Sequence, residues 1–268
     1  MDLQVNGHKT FCYTGGKAPD IAKPTVVFIH GALNDHSVWI LQTRYLANHG
    51  WNVLAPDLPG HGKSAGAAPR SVEAAADFAL ALMDAAGLER AALVGHSFGS
   101  LITLELAARA PARISHLVLA GTAFPMKVSP ALLDASLNTP QKAIAMVTIF
   151  SHSMLAPPPS ALGPGTWLYG GTRVLMRRLL AGNPRENIFY VGFKACDAYT
   201  GGEAALQKVA APILFILGKR DQMTPPKAAQ ALVHGAKNSK VVLVDAGHQM
   251  MTEAPDAVLF AIRDFLDA

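Results

Sequence analysis

The chain has 268 residues, half of them hydrophobic, and a formal charge of +4 at pH 7, although only 16% of its residues are charged. That length suffices for one large core or two small ones. The thin cationic excess contains no lysine/arginine-rich run and no reading motif, which argues against nucleic acid as a partner. The only two cysteines, Cys12 and Cys196, lie far apart and outside any CxxC pattern, which argues against a disulfide framework or a zinc site and predicts two buried thiols.

The N-terminal "MDLQVNGHKTFCYTGG" lacks a basic n-region followed by an apolar stretch, and no apolar run is long enough to cross a bilayer. These features predict a soluble, cytoplasmic protein with no membrane partner. "LQV" and "TFCY" flank Asn6-Gly7, a pair that accepts the positive φ angles of a tight hairpin turn. "TVVFIH" (25–30) is a short continuous apolar run, as in a strand covered on both faces. The spacing turns helical over 37–50, and Gly50 supplies the stop. "WNVLAPDLPG" returns to strand. Residues 71–87 form a helix with Ser71 as N-cap; Ala74 occupies the position that a capping-box Glu would fill, and Glu73 suits the first turn.

"RAALVG" (90–95), the helix that follows Ser97, and the strand "ISHLVLAG" (114–121) continue the alternation. From 124 to 205 the rhythm stops. That stretch reads as helical or irregular, broken by the Pro/Gly-rich "APPPSALGPG", and it is too long for a structureless loop. Its densest charge, Arg173, Arg177 and Arg178, fits the wet face of a helix. Alternation resumes with strand "APILFILG" (211–218), helix "PPKAAQALVHGA", strand "KVVLVDAG" and a final helix "DAVLFAIRDFLD". Short apolar strands alternating with helices predict an α/β fold with a mostly parallel sheet and helices on both faces. The core comprises 1–123 and 206–268, and 124–205 is an inserted helical cap.

The pentapeptide Gly95-His96-Ser97-Phe98-Gly99 fits G-x-S-x-G, which decides nothing alone. Its place at a strand end and a helix start, however, is that of a nucleophile elbow. A serine hydroxyl needs a base, and the base needs an orienting group. His248 in "DAGHQM" follows the last strand, on the same sheet edge as Ser97. His96, the elbow neighbour, and His234, on a helix, read as structural. For the acid, Asp221 in "ILGKRDQMTPP" follows the preceding strand; Asp245 is the rival and Asp197 the distant third. "GHGKS" (60–64) resembles the end of a P-loop but has Asp57 where that motif needs glycine. His30 and His61 lack metal-ligand spacing, so no metal is expected.

Four stretches, "HGALNDHSVW" (30–39), "APDLPGHGKS" (55–64), "GHSFG" (95–99) and "GHQMMTEAP" (247–255), together resemble the α/β-hydrolase fold family, in its serine-nucleophile, carboxylesterase-like form with a helical cap. The resemblance covers nearly all of the chain outside 124–205. It implies eight strands, a triad of Ser97, Asp221 and His248, and an oxyanion hole from the backbone amides of Ala32 and Phe98. "HGAL" replaces the "HGGG" of many lipases, which the resemblance links to poor acceptance of bulky tertiary-alcohol esters. Serine at the elbow argues against the relatives that place aspartate there, the dehalogenases and epoxide hydrolases.

These readings predict a hydrolase that forms an acyl-enzyme on Ser97 from a small-molecule, ester-like, apolar or aromatic substrate and needs no cofactor. The apolar segments "MVTIF", "MLA", "TWLYGG" and "VLM" either line a pocket or pack the cap onto the sheet. Leu33, Trp167, Tyr169, Met223 and Gln249 are the pocket candidates; Trp39 reads as core. Carbon–carbon bond hydrolysis, lactone hydrolysis and perhydrolysis use the same triad on the same fold. A small-molecule receptor on this fold is a further alternative, separated from an enzyme by its slow or single turnover.

Overall fold

The structure is a computed structural model that describes residues 1–153 and 166–268. The segments "MLA" (154–156) and "APPPSALGPG" (156–165) therefore lie outside the described residues. The chain opens with the expected hairpin: β1 (Asp2–Val5) and β2 (His8–Tyr13) pair antiparallel across Asn6 and Gly7, which have φ values of 51° and 77°. β3 (Thr25–Ile29) leads through a 3-10 turn at His36–Trp39 into α1 (Ile40–Asn48), so the helix expected from 37 begins with a tighter turn. β4 (Asn52–Pro56) and α2 (Val72–Ala85) follow, with the Ser71 hydroxyl accepting from the Ala74 amide at 3.1 Å as an N-cap.

β5 (Ala91–His96), α3 (Phe98–Arg109) and β6 (Ile114–Ala120) complete the first half. Among the described residues, five helices then precede the next strand: α4 (Pro130–Asn138), α5 (Pro140–Ser151), α6 (Leu168–Gly182), α7 (Ile188–Ala198) and α8 (Gly202–Leu206). Among the described residues of 124–205 there is no strand. β7 (Ile213–Gly218), α9 (Gln230–Gly235), β8 (Ser239–Val244), the short α10 (Met250–Glu253) and α11 (Pro255–Leu266) close the chain. The helix expected over 225–236 is split, with a 3-10 turn at Pro226–Ala229 ahead of α9.

The eight strands form one sheet in the order β1-β2-β4-β3-β5-β6-β7-β8. β1 and β2 are antiparallel, and β3 through β8 run parallel. The period-2 alternation of a strand explains the continuous apolar runs. Val27, Ile29, Leu93, Leu117 and Phe215 face the cluster built with α2 and α3. Their neighbours Val26, Phe28, Val94, Val118 and Leu214 face the cluster that holds Trp39, Leu46, Val258 and Ile262. Both faces are thus buried. The helices between β6 and β7 extend the first cluster through Leu132, Ile144, Val147, Met176 and Phe189. α8 packs against α3 and α9.

Candidate active site

The parallel strands all end on one edge, and three loops there carry Ser97, Asp221 and His248. Ser97 joins β5 to α3 with φ 54° and ψ −120°, a left-handed conformation that a non-glycine residue adopts only under constraint. Its amide donates to Ala120 O at 3.0 Å, and its carbonyl accepts from the Ser100 amide at 2.8 Å. The two flanking glycines make the turn sterically possible. A Cβ on Gly95 would overlap Gly99 O and Thr103 Oγ1, and one on Gly99 would overlap the Ile29 and His30 carbonyls. The pattern G-x-S-x-G therefore reflects close packing of the elbow against β3 and within α3.

His248 lies four residues beyond β8, and Asp221 three beyond β7. Asp221 Oδ2 is 2.7 Å from His248 Nδ1, while Asp221 Oδ1 accepts from the amides of Met223 and Thr224, each at 2.8 Å. The residue is only 3% exposed. Burial pushes its pKa up, but attraction to His248 and hydrogen bonds from His248 and Thr224 outweigh that effect and hold it below the usual aspartate value. The aspartate is therefore a carboxylate, so Nδ1 carries the proton between them. That leaves Nε2 as the ring nitrogen with no protein partner among the described residues. Asp245 instead lies just past β8, exposed, and pairs with Arg220 at 2.8 Å. Asp197 accepts from the Val128 amide and, through its carbonyl, from Lys127.

Ser97 and His248 line a common cavity of about 270 Å³. Its apolar wall includes Met126, Val128, Leu132, Met146, Phe150 and Phe193, and Cys196 and Met223 also face it. Lys127, Ser129, Gln222 and Thr224 supply polar groups. Met223 is the one pocket candidate from the sequence that lies on this wall. Leu33 is fully buried, with φ 49°, in the turn after β3. Gln249 is buried at the start of α10, its amide bonded to Ser151 O. Trp167 is 61% exposed and stacks on Tyr169 at 5.9 Å, away from the cavity. Of the apolar segments, "MVTIF" reaches the cavity through Met146 and Phe150, while Val147 packs inward and Ile149 is exposed.

The amide of Phe98 opens α3, and the amide of Ala32 follows His30-Gly31. Neither donates to a protein acceptor among the described residues. His30 fixes this turn: its Nε2 accepts from the Leu58 amide at 3.0 Å, so Nδ1 is the protonated nitrogen and donates to Gly31 O at 2.8 Å. Burial foremost lowers the His30 pKa, consistent with this neutral ring. Both cysteines are free and buried, and burial pushes both thiols up.

Among the described residues, Asp35, His36 and Asp57 have donor atoms within 4.8 Å of one another, a spacing that could hold a metal ion. Their oxygens already serve protein donors. Asp57 accepts from the amides of His36 and Lys63 and pairs with His36 Nδ1, and Asp35 accepts from Ser37 and Arg178. This makes the cluster a hydrogen-bonded junction. Arg178, exposed on α6 as expected of a wet helix face, also bridges α6 to Asp35 in the turn after β3 at 2.8 Å. A wider cleft of about 740 Å³ lies at the opposite, N-terminal ends of β3 to β5, lined by Thr25, Asn52 and Arg90, remote from Ser97. Among the described residues, no helix is long and apolar enough to cross a membrane.

Three side chains at the site carry no motif in the sequence. Thr224 stands three residues after Asp221, and only that spacing could have pointed to it. Leu132 and Phe193 reach the cavity through the folding of the inserted helices, which no local pattern encodes.

Known proteins resemble this chain in sequence and fold. The family model described as "Alpha/beta hydrolase family" matches residues 26–261. A pimeloyl-[acyl-carrier protein] methyl ester esterase of Neisseria meningitidis serogroup C is 30% identical over 262 residues, 93% of this chain and 95% of that protein. A putative carbamate hydrolase of Agrobacterium fabrum is 26% identical over 266 residues, 92% and 94% of the two chains. The crystal structure of an enol-lactonase from Burkholderia xenovorans LB400 superposes with a TM-score of 0.82 over the whole of both chains at 24% identity, a likeness of fold. With the sheet order, the elbow and the family match in agreement, the chain belongs to the alpha/beta hydrolase family.

Proposed function

We propose that this chain is a serine hydrolase that cleaves an ester-like carbonyl bond of a small to medium apolar substrate through an acyl-enzyme on Ser97. The observation that carries the reading is the union of a conformationally constrained Ser97 and an Asp221-held His248 on one cavity wall. The names of the relatives support it: a methyl ester, a carbamate and an enol-lactone all present a carbonyl bonded to a heteroatom leaving group.

Each step follows from the residues. Ser97 Oγ attacks the carbonyl carbon while His248 Nε2 accepts its proton. Asp221 remains ionised and stabilises the imidazolium. The carbonyl oxygen becomes an oxyanion held by the amides of Ala32 and Phe98, donors typically worth about 3–4 kcal/mol each. Collapse expels the alcohol, which takes the proton from His248, and leaves the acyl group on Ser97 Oγ. Water then attacks the acyl carbon as His248 accepts its proton. The second collapse releases the acid and returns the proton to Ser97. Substrate and water are the only reactants.

The inserted helices act as a cap that shapes the acyl side. At about 270 Å³ the cavity stands at the small end of ligand sites, and its apolar wall favours a short to medium acyl chain. The test is hydrolysis of p-nitrophenyl esters from acetate to decanoate by the wild type and Ser97→Ala. Multiple turnover with a short- to medium-chain optimum is expected, together with a loss of at least about 10³-fold in the variant. Equal turnover by the two proteins would overturn the reading. A wild type limited to one turnover would favour the receptor alternative.

A further inference from the structure

Thr224 occupies the junction of three strand ends. The turn Asp221-Gln222-Met223-Thr224 closes on Asp221 Oδ1, which accepts both the Met223 and the Thr224 amides at 2.8 Å. This closure folds the Thr224 side chain back under the carboxylate. Its Oγ1 lies 2.8 Å from Asp221 Oδ2, 3.0 Å from His248 Nδ1 and 2.9 Å from Gly121 O, and the residue is 3% exposed. Gly121 directly follows β6 and forms the floor under the imidazole: a Cβ there would stand 3.2 Å from both Cε1 and Nδ1 of His248.

Counting hydrogens decides what the hydroxyl does. His248 Nδ1 and Thr224 Oγ1 bring one hydrogen each to this cluster. The Gly121 carbonyl and the Asp221 carboxylate only accept. The imidazole hydrogen is directed at Asp221 Oδ2, its nearest acceptor at 2.7 Å, so the threonine hydrogen lies between Oδ2 and Gly121 O. Without that hydroxyl, Oδ2 would lose its second donor and the Gly121 carbonyl its side-chain partner, both beside buried side chains.

We propose that Thr224 is a positioning residue for the hydrolytic reaction: its hydroxyl locks the Asp221 carboxylate and the His248 ring to the end of β6. The proposal rests on the reading of Ser97 as nucleophile and His248 as base. A threonine needed only for packing would be replaced by valine without consequence, because the two share shape and β-branching. A positioning hydroxyl is not replaced by valine but is replaced by serine.

The test is the inactivation of Ser97 by an alkyl fluorophosphonate, which needs no knowledge of the natural substrate. Thr224→Val is expected to lower the maximal inactivation rate constant by about tenfold or more with KI unchanged, because misplacement of the base slows the chemical step. Thr224→Ser is expected to recover to within about threefold, the hydroxyl being the group that acts. Melting temperatures are measured alongside, and Thr224→Ala replaces the valine variant if that one does not fold. Wild-type inactivation rates in Thr224→Val, or serine reacting as slowly as valine at an unchanged melting temperature, would overturn the proposal. Ser97→Ala serves as the control. Labelling that persists there, or a wild type that is never labelled, would remove the underlying reading and the proposal with it.

Discussion

The His96 ring stands 4.6 Å from the His248 ring, centroid to centroid, and its Nε2 lies 2.9 Å from the His248 carbonyl oxygen. A carbonyl only accepts, so Nε2 carries the hydrogen and Nδ1, buried and without a partner among the described residues, stays bare. Burial foremost, then the neighbouring His248, lowers the His96 pKa to about 3. The elbow histidine is thus a fixed neutral donor that holds the backbone of the proposed base without placing a second positive charge beside it.

Replacing that donor tests its role. His96→Phe keeps an aromatic ring but leaves the buried His248 carbonyl unpaired, a loss of about 1–3 kcal/mol. A drop of several degrees in melting temperature is expected, with slower ester turnover. A variant that melts and turns over like the wild type would show that this hydrogen bond does not position His248.

The strain at Ser97 predicts an opposition between stability and activity. Left-handed conformations of non-glycine residues cost about 1–3 kcal/mol, and glycine relieves that cost. Ser97→Gly is therefore expected to melt a few degrees above Ser97→Ala, while neither variant hydrolyses esters. Gly99→Ala, whose new Cβ would strike the Ile29 and His30 carbonyls, is expected to lose about 3 kcal/mol. Differential scanning calorimetry of the three variants decides; equal melting of Ser97→Gly and Ser97→Ala would contradict a strained elbow.

Acid should destabilise the protein from an unusually high pH. Burial keeps His30, His61 and His96 neutral, with His61 lowered to about 4 by burial foremost and then by His30. In the unfolded chain these rings bind protons below about pH 6.5. Between there and the folded values the unfolded state holds more protons, so stability falls as pH falls. The contribution is complete above about pH 6.5, and each ring removes about 1.4 kcal/mol per pH unit through the window. Asp221, depressed in the folded state, adds a further loss below the ordinary aspartate range. Melting temperatures should decline steadily from pH 7 to pH 5; a flat profile would show that these rings protonate in place.

The cavity wall predicts chain-length selectivity. Leu132→Ala removes three carbons from the wall and should shift the p-nitrophenyl ester optimum by about two carbons towards longer chains, since one methylene in an apolar pocket changes rates about tenfold or more. Trp167→Ala, at an exposed position outside the cavity, should leave the optimum where it is. The reverse pattern would mean that acyl chains bind along the Trp167–Tyr169 stack.

The sheet was legible in the sequence because its signals are local. β3, β5 and β7 are buried on both faces, and a strand so covered is apolar at nearly every position. Ser97, Asp221 and His248 could be singled out for a related reason: parallel strands deliver their following loops to one edge. The cavity was less legible. Its wall depends on how α4, α5 and α7 fold back over that edge, and Trp167, Tyr169, Leu33 and Gln249 are aromatic, apolar or adjacent without facing it. Arg178 makes the same point for charge. Its exposure on a solvated helix face was readable, but not its partner Asp35, which lies 143 residues earlier in the chain.

The central claim is the acyl-enzyme on Ser97, and the most direct measurement is a rapid acid quench of p-nitrophenyl butyrate turnover followed by peptide mass mapping. A butyryl group on the peptide that contains Ser97, absent from Ser97→Ala, is the predicted result. Release of p-nitrophenol with every peptide unmodified, or with the acyl group on another residue, would contradict it.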